Sequence, residues 1–501
     1  MAQLRDEVTT ARRLMTSLRR GEIDRREFLV LAASLSAAAI LAACIPAASS
    51  SPAASGSASG PAPTPTPATG GNGGRKTVPL YTTENDPSTL AFYASVISSF
   101  QGEFPDVDVP ITLYQDENQL QYLTTALQTG TDIGVFGPPP SFIADWARQG
   151  FLLPLNDLVE QIGESDFLDG TRVVVDGDDY AIPFQANASA VYYRKDLLEG
   201  AGIAVPTTYE DYLGAVTALN GQNGIVGIAS SVGPSPQLPL QFFTPYIHQA
   251  GWDYYNKDGD LRFDQPDVLD AVKRYVAIMA NTTENFYNAG FGDIQTAYIG
   301  GQAAFATFPG RLGVNLDRQA PAIADVTGVI GIPAGPFMTG QLHFGGTQHY
   351  SVSAQTAHPV EALAFLEALT TGDNALAFAL TVPGHLLPPL ESVRAKVLTA
   401  DDPYIVKHQD WMTTFLDLVP GAMSPTLAMG SVDNKAFTKK LSNVCPWGSE
   451  VWTNPPVDGT MLQEILINKK DPEAAWTDAH KAMGDIASNW KAANPGWTPS
   501  E

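Results

Sequence analysis

Residues 127–154 of the chain read LQTGTDIGVFGPPPSFIADWARQGFLLP, and this stretch decides the fold. The apolar run over 132–136 is typical of a short buried strand. Three prolines at 138–140 end the run, and apolar residues then recur at helical spacing over 143–147. The stretch therefore predicts a buried strand that leads through a proline turn into a helix.

The same alternation of strand and helix surrounds this stretch. Val78–Thr82 has the pattern of a strand, and Asp86 is placed to cap the helix that follows. A second strand is predicted over 107–113 and a second helix around 120–127. This β-α-β-α order predicts a largely parallel sheet with helices on both faces. A chain of 501 residues has room for two such α/β lobes.

The charge balance excludes several classes of function. The chain has 29 Lys and Arg against 53 Asp and Glu, a net charge of −24. Nucleic-acid binding depends on cationic groups that displace phosphate counterions, so this chain is not expected to bind nucleic acid. Two cysteines exclude a disulfide scaffold. The seven histidines show no metal-ligand spacing, so we expect neither a metal nor a cofactor.

The N-terminus has the features of an export signal over residues 1–43. Seven arginines precede Leu29–Ala43, an apolar run too short to span a bilayer, which needs about 20 residues. Arg25-Arg26 with Phe28-Leu29 resembles the twin-arginine export motif, although Asp24 stands where Ser or Thr is usual. Cys44 after Leu-Ala-Ala resembles a bacterial lipobox, which implies acylation of this cysteine.

A linker is predicted between this signal and the folded body. Residues 44–74 are almost entirely Ser, Ala, Pro, Gly and Thr after Cys44, a composition that cannot bury a core. We therefore expect an exported protein that lipidated Cys44 anchors to the outer face of the cytoplasmic membrane, at the cell surface or in the periplasm.

Several segments of the body resemble one known family in order and spacing. They are Leu127–Ile133 with Ala147–Leu155, Asp176–Pro183, Val191–Leu198, Ala250–Asp264, Gly301–Phe305 and Gly331–Gly346. Together they resemble family 1 of the extracellular solute-binding proteins of ABC importers, the carbohydrate-binding proteins typified by maltose-binding protein. Two positions depart from the family pattern: Thr131 replaces a proline, and Arg194 replaces an asparagine.

The resemblance implies a periplasmic-binding-protein-like fold in which two α/β lobes are joined by a hinge that the chain crosses three times. The expected crossings lie near Tyr180–Gln185, Val329–Pro333 and Thr381–Leu386. Lobe one would comprise 75–185 plus 329–384, and lobe two 186–328 plus 385–501.

The resemblance also implies a function. Ligand would bind in the cleft between the lobes and draw them together, so that a permease can recognise the loaded form. The expected role is that of a monomeric lipoprotein that captures a sugar or oligosaccharide and delivers it to the ABC permease, without catalysis.

Candidate ligand residues follow from the rule that ligands bind at the carboxyl ends of strands in open α/β sheets. That rule selects the segments 82–86 and 136–141. Sugars require planar polar side chains and an aromatic platform. The polar candidates are Glu84, Gln185, Asn187, Arg311, Thr347 and His349, and the aromatic candidates are Trp252, Trp447 and Trp452.

Each candidate has an alternative structural role. Arg311 could instead form a salt bridge across the cleft, and if it binds ligand, acidic sugars become plausible. His349 could be a satisfied buried polar residue, and the tryptophans could be packed in the core.

Other functions stay open on the sequence alone. The protein could bind a non-sugar solute such as glycerol phosphate or a peptide, or it could present ligand to a sensor. A secreted glycoside hydrolase is a further alternative, although the chain contains neither Gly-x-Ser-x-Gly nor His-Glu-x-x-His.

Overall fold

The computed structural model describes residues 75–499 except 115, 234–236, 338–342, 345, 438–442 and 454. The predicted export signal, the lipidation site Cys44 and the linker up to residue 74 lie outside the described residues. Among the residues described, no helix is both long and apolar enough to cross a membrane.

The strands are short and most are buried. In chain order they are β1 Lys76–Thr77, β2 Leu80–Thr82, β3 Val107–Asp108, β4 Ile111–Leu113, β5 Val135–Phe136, β6 Val174–Val175, β7 Asp178–Asp179, β8 Ile182–Gln185, β9 Ala190–Arg194, β10 Val226–Ala229, β11 Ala303–Phe308, β12 Thr327–Ile330, β13 His343–Phe344, β14 Gln348–Val352, β15 Ala422–Met423, β16 Val432–Asp433 and β17 Ala436–Phe437.

The helices cover the faces of the sheets. In chain order they are α1 Pro87–Glu103, α2 Asp116–Thr129, α3 Ile143–Arg148, α4 Asn156–Ile162, α5 Lys195–Ala201, α6 Tyr209–Leu219, α7 Gln237–Phe242, α8 Thr244–Gln249, α9 Pro266–Met279, α10 Phe291–Ile299, α11 Arg311–Gln319, α12 Pro321–Asp325, α13 Pro359–Thr370, α14 Gly372–Ala379, α15 Glu391–Arg394, α16 Pro403–Lys407, α17 Gln409–Leu418, α18 Gly448–Trp452, α19 Val457–Leu466 and α20 Pro472–Ala493.

Two sheets form the centres of two lobes. The first has the strand order β4-β2-β5-β14-β8 and the second β10-β11-β9-β12. In the first, β2 is parallel to β4 and β5, whereas β14 is antiparallel to both β5 and β8. In the second, β10 is parallel to β11, and β9 is antiparallel to its two neighbours. The predicted pair of largely parallel α/β lobes is therefore confirmed, with one reversed strand in each sheet.

The chain passes between the sheets near the predicted hinge. Residues 186–189 connect β8 in the first sheet directly to β9 in the second. The return begins later than predicted. Strand β12 (Thr327–Ile330) is still paired with β9, so the expected crossing at Val329–Pro333 starts too early. The first sheet is not rejoined until β14, which pairs with β5 and β8. The other lobe boundaries stay predictions.

Separate hydrophobic clusters hold the two lobes together internally. Helices α1 and α13 bury Phe92, Tyr93, Phe365 and neighbouring apolar residues against the first sheet. A second, larger cluster surrounds the strands β9 to β11 and includes the C-terminal helices. At roughly 25 cal/mol per Å² of apolar surface, burial of this kind is the main favourable contribution to folding. Each lobe thus presents a rigid edge to the cleft.

Candidate functional site

A cavity of about 250 Å³ lies between the two lobes, where strands of both sheets end. Residues that follow β2 and β5 line it from one side, and residues that follow β11 line it from the other. This is the position expected for a ligand site in open α/β sheets. The lining is formed by Thr83, Glu84, Gln119, Leu120, Pro138, Pro139, Pro140, Ser141, Phe142, Asn187, Leu240, Gln241, Phe291, Phe308, Pro309, Arg311, Gly346, Thr347, Gln348, His385, Ser424, Thr426 and Thr453.

A cluster of three charged residues spans the cavity. Arg311 lies at the start of α11 in the second lobe, and Glu84 and Asp86 follow β2 in the first. The Arg311 Nη2 is 2.7 Å from Glu84 Oε2, and its Nη1 is 3.0 Å from Asp86 Oδ2. We call this cluster of Glu84, Asp86 and Arg311 the cleft triad. It contains the cross-cleft salt bridge that the sequence allowed as the alternative role of Arg311.

Asp86 differs from its prediction as a helix cap. It stands at the N-cap position of α1, yet its side chain makes no capping hydrogen bond. Its carboxylate instead reaches Arg311. A capping bond to a carboxylate and an ion pair with a guanidinium are both charge-assisted, so Arg311 competes with the first amides of α1 for the same carboxylate.

Three polar side chains at the cavity have buried atoms without a hydrogen bond to the described residues. Among the described residues, none hydrogen-bonds to Asn187 Oδ1, Gln241 Oε1 or His385 Nδ1, although these atoms are buried. Buried polar groups are normally hydrogen-bonded, because a buried donor or acceptor without a partner costs about 1–3 kcal/mol. A ligand with hydroxyl groups would supply those bonds. Of the polar ligand candidates between the two lobes, Asn187 and Thr347 lie in the lining of this cavity.

Aromatic rings and prolines form the apolar part of the lining. Phe142 comes from the first lobe, and Phe291 and Phe308 come from the second, where their rings meet edge-on at 5.9 Å between centroids. Ring faces and edges of this kind suit the C–H surfaces of a sugar. The aromatic side chains in the lining are phenylalanines and not the predicted tryptophans.

The three tryptophan predictions are wrong about the cavity, because all three side chains are packed in the core of the second lobe. Trp252 is 9% exposed, and its Nε1 donates to Asp267 Oδ2 at 3.2 Å. Trp447 and Trp452 are fully buried against Tyr255. An indole stabilises a protein most when its large apolar surface is removed from water, so the core competes with the cleft for such residues.

Two polar predictions lie behind the cavity wall. Gln185 and His349 are completely buried, and neither lines the cavity. His349 Nε2 is 2.7 Å from the carbonyl oxygen of Thr171. Burial lowers the pKa of His349 to about 4, so the ring is neutral near pH 7. Among the described residues, none hydrogen-bonds to its buried Nδ1, so only Nε2 of this ring has a partner there.

The sequence also missed several lining residues. Gln241 and Phe291 come from segments between the expected motifs, and nothing in their local pattern marks them as binding residues. His385 lies in the expected crossing at Thr381–Leu386, but it was not among the ligand candidates. Pro138 to Ser141 were not missed, since they follow β5 within the segment 136–141 that the sheet rule selects. Among the described residues, no group of three His, Cys, Asp or Glu side chains could hold a metal ion.

Two α/β lobes that enclose a polar cavity at their strand ends define a protein of the solute-binding type. The chain belongs to the bacterial extracellular solute-binding proteins, whose family model matches residues 57–375. Members of this family are binding proteins.

Individual relatives agree with this assignment. The chain is 26% identical over 420 residues to a binding protein of Brucella abortus (strain 2308), covering 81% of this chain and 91% of that protein. A solute-binding protein of Thermotoga lettingae TMO bound with α-D-tagatose has the same fold, with a TM-score of 0.67 and 19% identity over 82% of this chain and 100% of that one. A protein of Agrobacterium vitis S4 with bound D-mannitol superposes with a TM-score of 0.66 and 20% identity over 85% of this chain and 100% of that one.

Proposed function

We propose that this protein captures a small carbohydrate or polyol outside the cytoplasmic membrane and delivers it to an ABC permease. The observation that carries the proposal is the interlobe cavity, in which the buried polar atoms of Asn187, Gln241 and His385 have no partner among the described residues. A polyhydroxylated ligand would satisfy them while its C–H faces meet the phenylalanine rings. Tagatose and D-mannitol in two proteins of the same fold are ligands of this chemistry.

The size of the cavity favours a short ligand. Its volume of about 250 Å³ lies just below the roughly 300–1,000 Å³ typical of small-molecule pockets. We expect a mono- or disaccharide or a polyol to fit without rearrangement of the walls. A longer oligosaccharide would need the lobes to stand further apart.

Hinge closure is the expected mechanism. Ligand bridges the two lobes and therefore stabilises the conformation in which they approach each other. The permease then distinguishes loaded from empty receptor by shape. We propose no catalytic step, since the role of the site is to hold the ligand unchanged.

The N-terminal segment supplies the location in this proposal. Export through the arginine-rich signal is followed by acylation of Cys44, and the linker over 45–74 holds the receptor close to the membrane. The receptor acts as a monomer. Cys44→Ser should move the protein from the membrane fraction to the medium or periplasm, and retention at the membrane would contradict the anchor.

Thermal-shift screening tests the ligand class. Purified protein is heated with neutral mono- and disaccharides, polyols, glycerol phosphate and short peptides, and hits are titrated by calorimetry. Saccharides or polyols should raise the melting temperature by mass action. Stabilisation by glycerol phosphate or peptides alone would contradict the carbohydrate proposal. Recovery of the bound saccharide in cleaved form would indicate a hydrolase instead.

A further inference from the structure

The cleft triad determines the charge of the cavity. Glu84, Arg311 and His385 are the titratable residues in the lining of the described cavity, and Asp86 contacts Arg311 directly. Glu84 is almost completely buried, so its charge acts at short range in a poorly solvated setting.

The triad is held rigidly from the first lobe. The Glu84 amide donates to Thr82 Oγ1 at 3.1 Å, and that oxygen is 3.2 Å from the Tyr350 hydroxyl. The Tyr350 and Tyr93 hydroxyls are 2.6 Å apart, which ties the loop after β2 to the core.

Contacts of the two residues before Arg311 fix its backbone. A Cβ atom on Gly310 would lie 2.0 Å from the Gly384 carbonyl oxygen, so the backbones before Arg311 and before His385 are in direct contact. The Pro309 carbonyl accepts a hydrogen bond from the Tyr192 hydroxyl at 3.2 Å. The three charges are therefore pre-organised with respect to one another.

The charges leave the site with an excess of one negative charge. One guanidinium faces two carboxylates. Burial and the nearby Arg311 hold the pKa of His385 well below its usual value, so its ring adds no positive charge at pH 7. An approaching anion therefore meets Arg311, whose positive charge is already paired. It also meets the carboxylates of Glu84 and Asp86, which repel it.

We propose, building on the proposed carbohydrate function, that the cleft triad makes the site select uncharged ligands against anionic ones. A hydroxyl can donate to Glu84 and accept from Arg311 at once, without any change of charge. A carboxylate or phosphate can only accept. It would have to displace Glu84 or Asp86 from Arg311 while being repelled by both. Arg311 thus excludes acidic sugars through its partners, the opposite of what an unpaired arginine would do.

Neutralisation of the two carboxylates in the triad tests this selectivity. Wild type, Glu84→Gln/Asp86→Asn and the matched control Glu164→Gln/Asp179→Asn are compared at low salt. The control removes the same two charges around Arg172, which pairs with Glu164 at 2.9 Å and Asp179 at 2.8 Å outside the cavity lining. The probes are glucose and galactose, each paired with glucuronate or galacturonate, and mannitol. Affinity is measured by calorimetry after a thermal-shift screen.

Wild type and control should bind neutral probes at least tenfold more tightly than uronates. The cavity variant should change this ratio at least tenfold in favour of the uronates. Wild type that binds uronates as tightly as neutral probes, or an unchanged ratio in the cavity variant, would overturn the inference but leave the carbohydrate function in place. Absence of binding by every saccharide and polyol would overturn both.

Arg311→Gln provides a second test if the double variant does not fold. This change leaves two carboxylates without their guanidinium, so the cavity should prefer glucosamine over glucose by at least fivefold more than wild type does. An unchanged glucosamine-to-glucose ratio, with the ligand-free melting temperature showing a folded protein, contradicts the inference.

Discussion

Asn187 owes its position in the cavity to the glycine that faces it. A Cβ atom on Gly346 would lie 2.2 Å from Asn187 Oδ1, and the Gly346 amide donates to the Asn187 carbonyl at 3.1 Å. No side chain larger than hydrogen fits between the two residues. The side-chain amide of Asn187 is therefore held at the cavity wall by the close approach of the Gly346 backbone, which only glycine allows.

We predict that Gly346→Ala weakens carbohydrate binding by displacing this amide. The loss of one hydrogen bond, at roughly 0.5–1.5 kcal/mol, corresponds to about 2- to 12-fold in affinity, and the loss of two to about 5- to 160-fold. Calorimetric titration with the best ligand measures it. Gly102→Ala is the control, since among the described residues no atom lies within 4 Å of a Cβ there.

A double-mutant cycle identifies the cause of the loss. If Gly346→Ala acts through the amide, it should add nothing to Asn187→Ala. Fully additive losses would show that the two residues act independently.

For Trp252 we predict a loss of stability without a loss of ligand affinity. Its ring is buried and bonded to Asp267, so Trp252→Ala should lower the free energy of unfolding by about 3–5 kcal/mol. Ligand affinity, measured well below the melting temperature, should not change. A loss of affinity without a loss of stability would return Trp252 to the site.

These residues show how far the sequence predicts the site. Glu84, Asn187, Arg311 and Thr347 were expected at the cleft and do line the cavity, because positions near strand ends and crossings can be recognised from pattern. Trp447 could not be placed correctly, since an indole suits a platform and a core equally well. Only the packing of distant segments decides between the two.

At the scale of elements, helix α19 contains a carboxyl group in an unfavourable setting. Asp458 lies in its first turn and is completely buried. The Tyr254 hydroxyl donates to Asp458 Oδ2 at 2.8 Å, which fixes the start of the helix against the second lobe's core. Burial outweighs this bond and raises the pKa of Asp458 to about 6.

A pH dependence of stability follows from that shift. An unfolded aspartate has a pKa of about 3.9, so between about pH 4 and pH 6 the folded state binds more protons than the unfolded state. The stabilisation is fully present below about pH 4 and is lost as the pH rises through 6, by about 3 kcal/mol. Asp458→Asn should lose this component.

Urea unfolding of both proteins from pH 4 to 7 measures the effect. The free energy of unfolding of wild type, minus that of Asp458→Asn, should fall as the pH rises. A difference that stays constant across this range would show that Asp458 has an ordinary pKa in the folded protein.

Most elements could be predicted from the sequence, but strand direction and breaks could not. Helices α13 and α20 begin at prolines, Pro359 and Pro472, a residue type that the first turn of a helix favours and that can be read from the sequence. The strand expected over 107–113 is divided into β3 and β4, because Pro110 lacks an amide hydrogen for the ladder. The reversed strands β9 and β14 both enter a sheet directly after a crossing between lobes, which local pattern does not record.

At the scale of the whole molecule, contacts outside the cavity also join the lobes. The Ser449 hydroxyl in α18 donates to Asp145 in α3. The Arg148 guanidinium, also in α3, lies 5.4 Å from the centre of the Trp490 ring in α20. Leu427 and Val444 from the C-terminal part of the chain are packed in a cluster of the first lobe. These contacts favour the closed arrangement independently of ligand.

We therefore predict that these contacts between the lobes affect ligand affinity although they lie outside the cavity lining. Ser449→Ala removes one contact between lobes, which shifts the ligand-free protein toward an open conformation and lowers apparent affinity by up to about tenfold. Small-angle scattering of the ligand-free variant should give a larger radius of gyration than wild type, and saturating ligand should abolish the difference. Ser392→Ala is the control. The Ser392 hydroxyl donates to Asp166 Oδ2 at 2.6 Å, and neither residue lines the cavity. Equal affinity and equal radius in wild type and Ser449→Ala would show that the Ser449–Asp145 contact does not help to hold the lobes together.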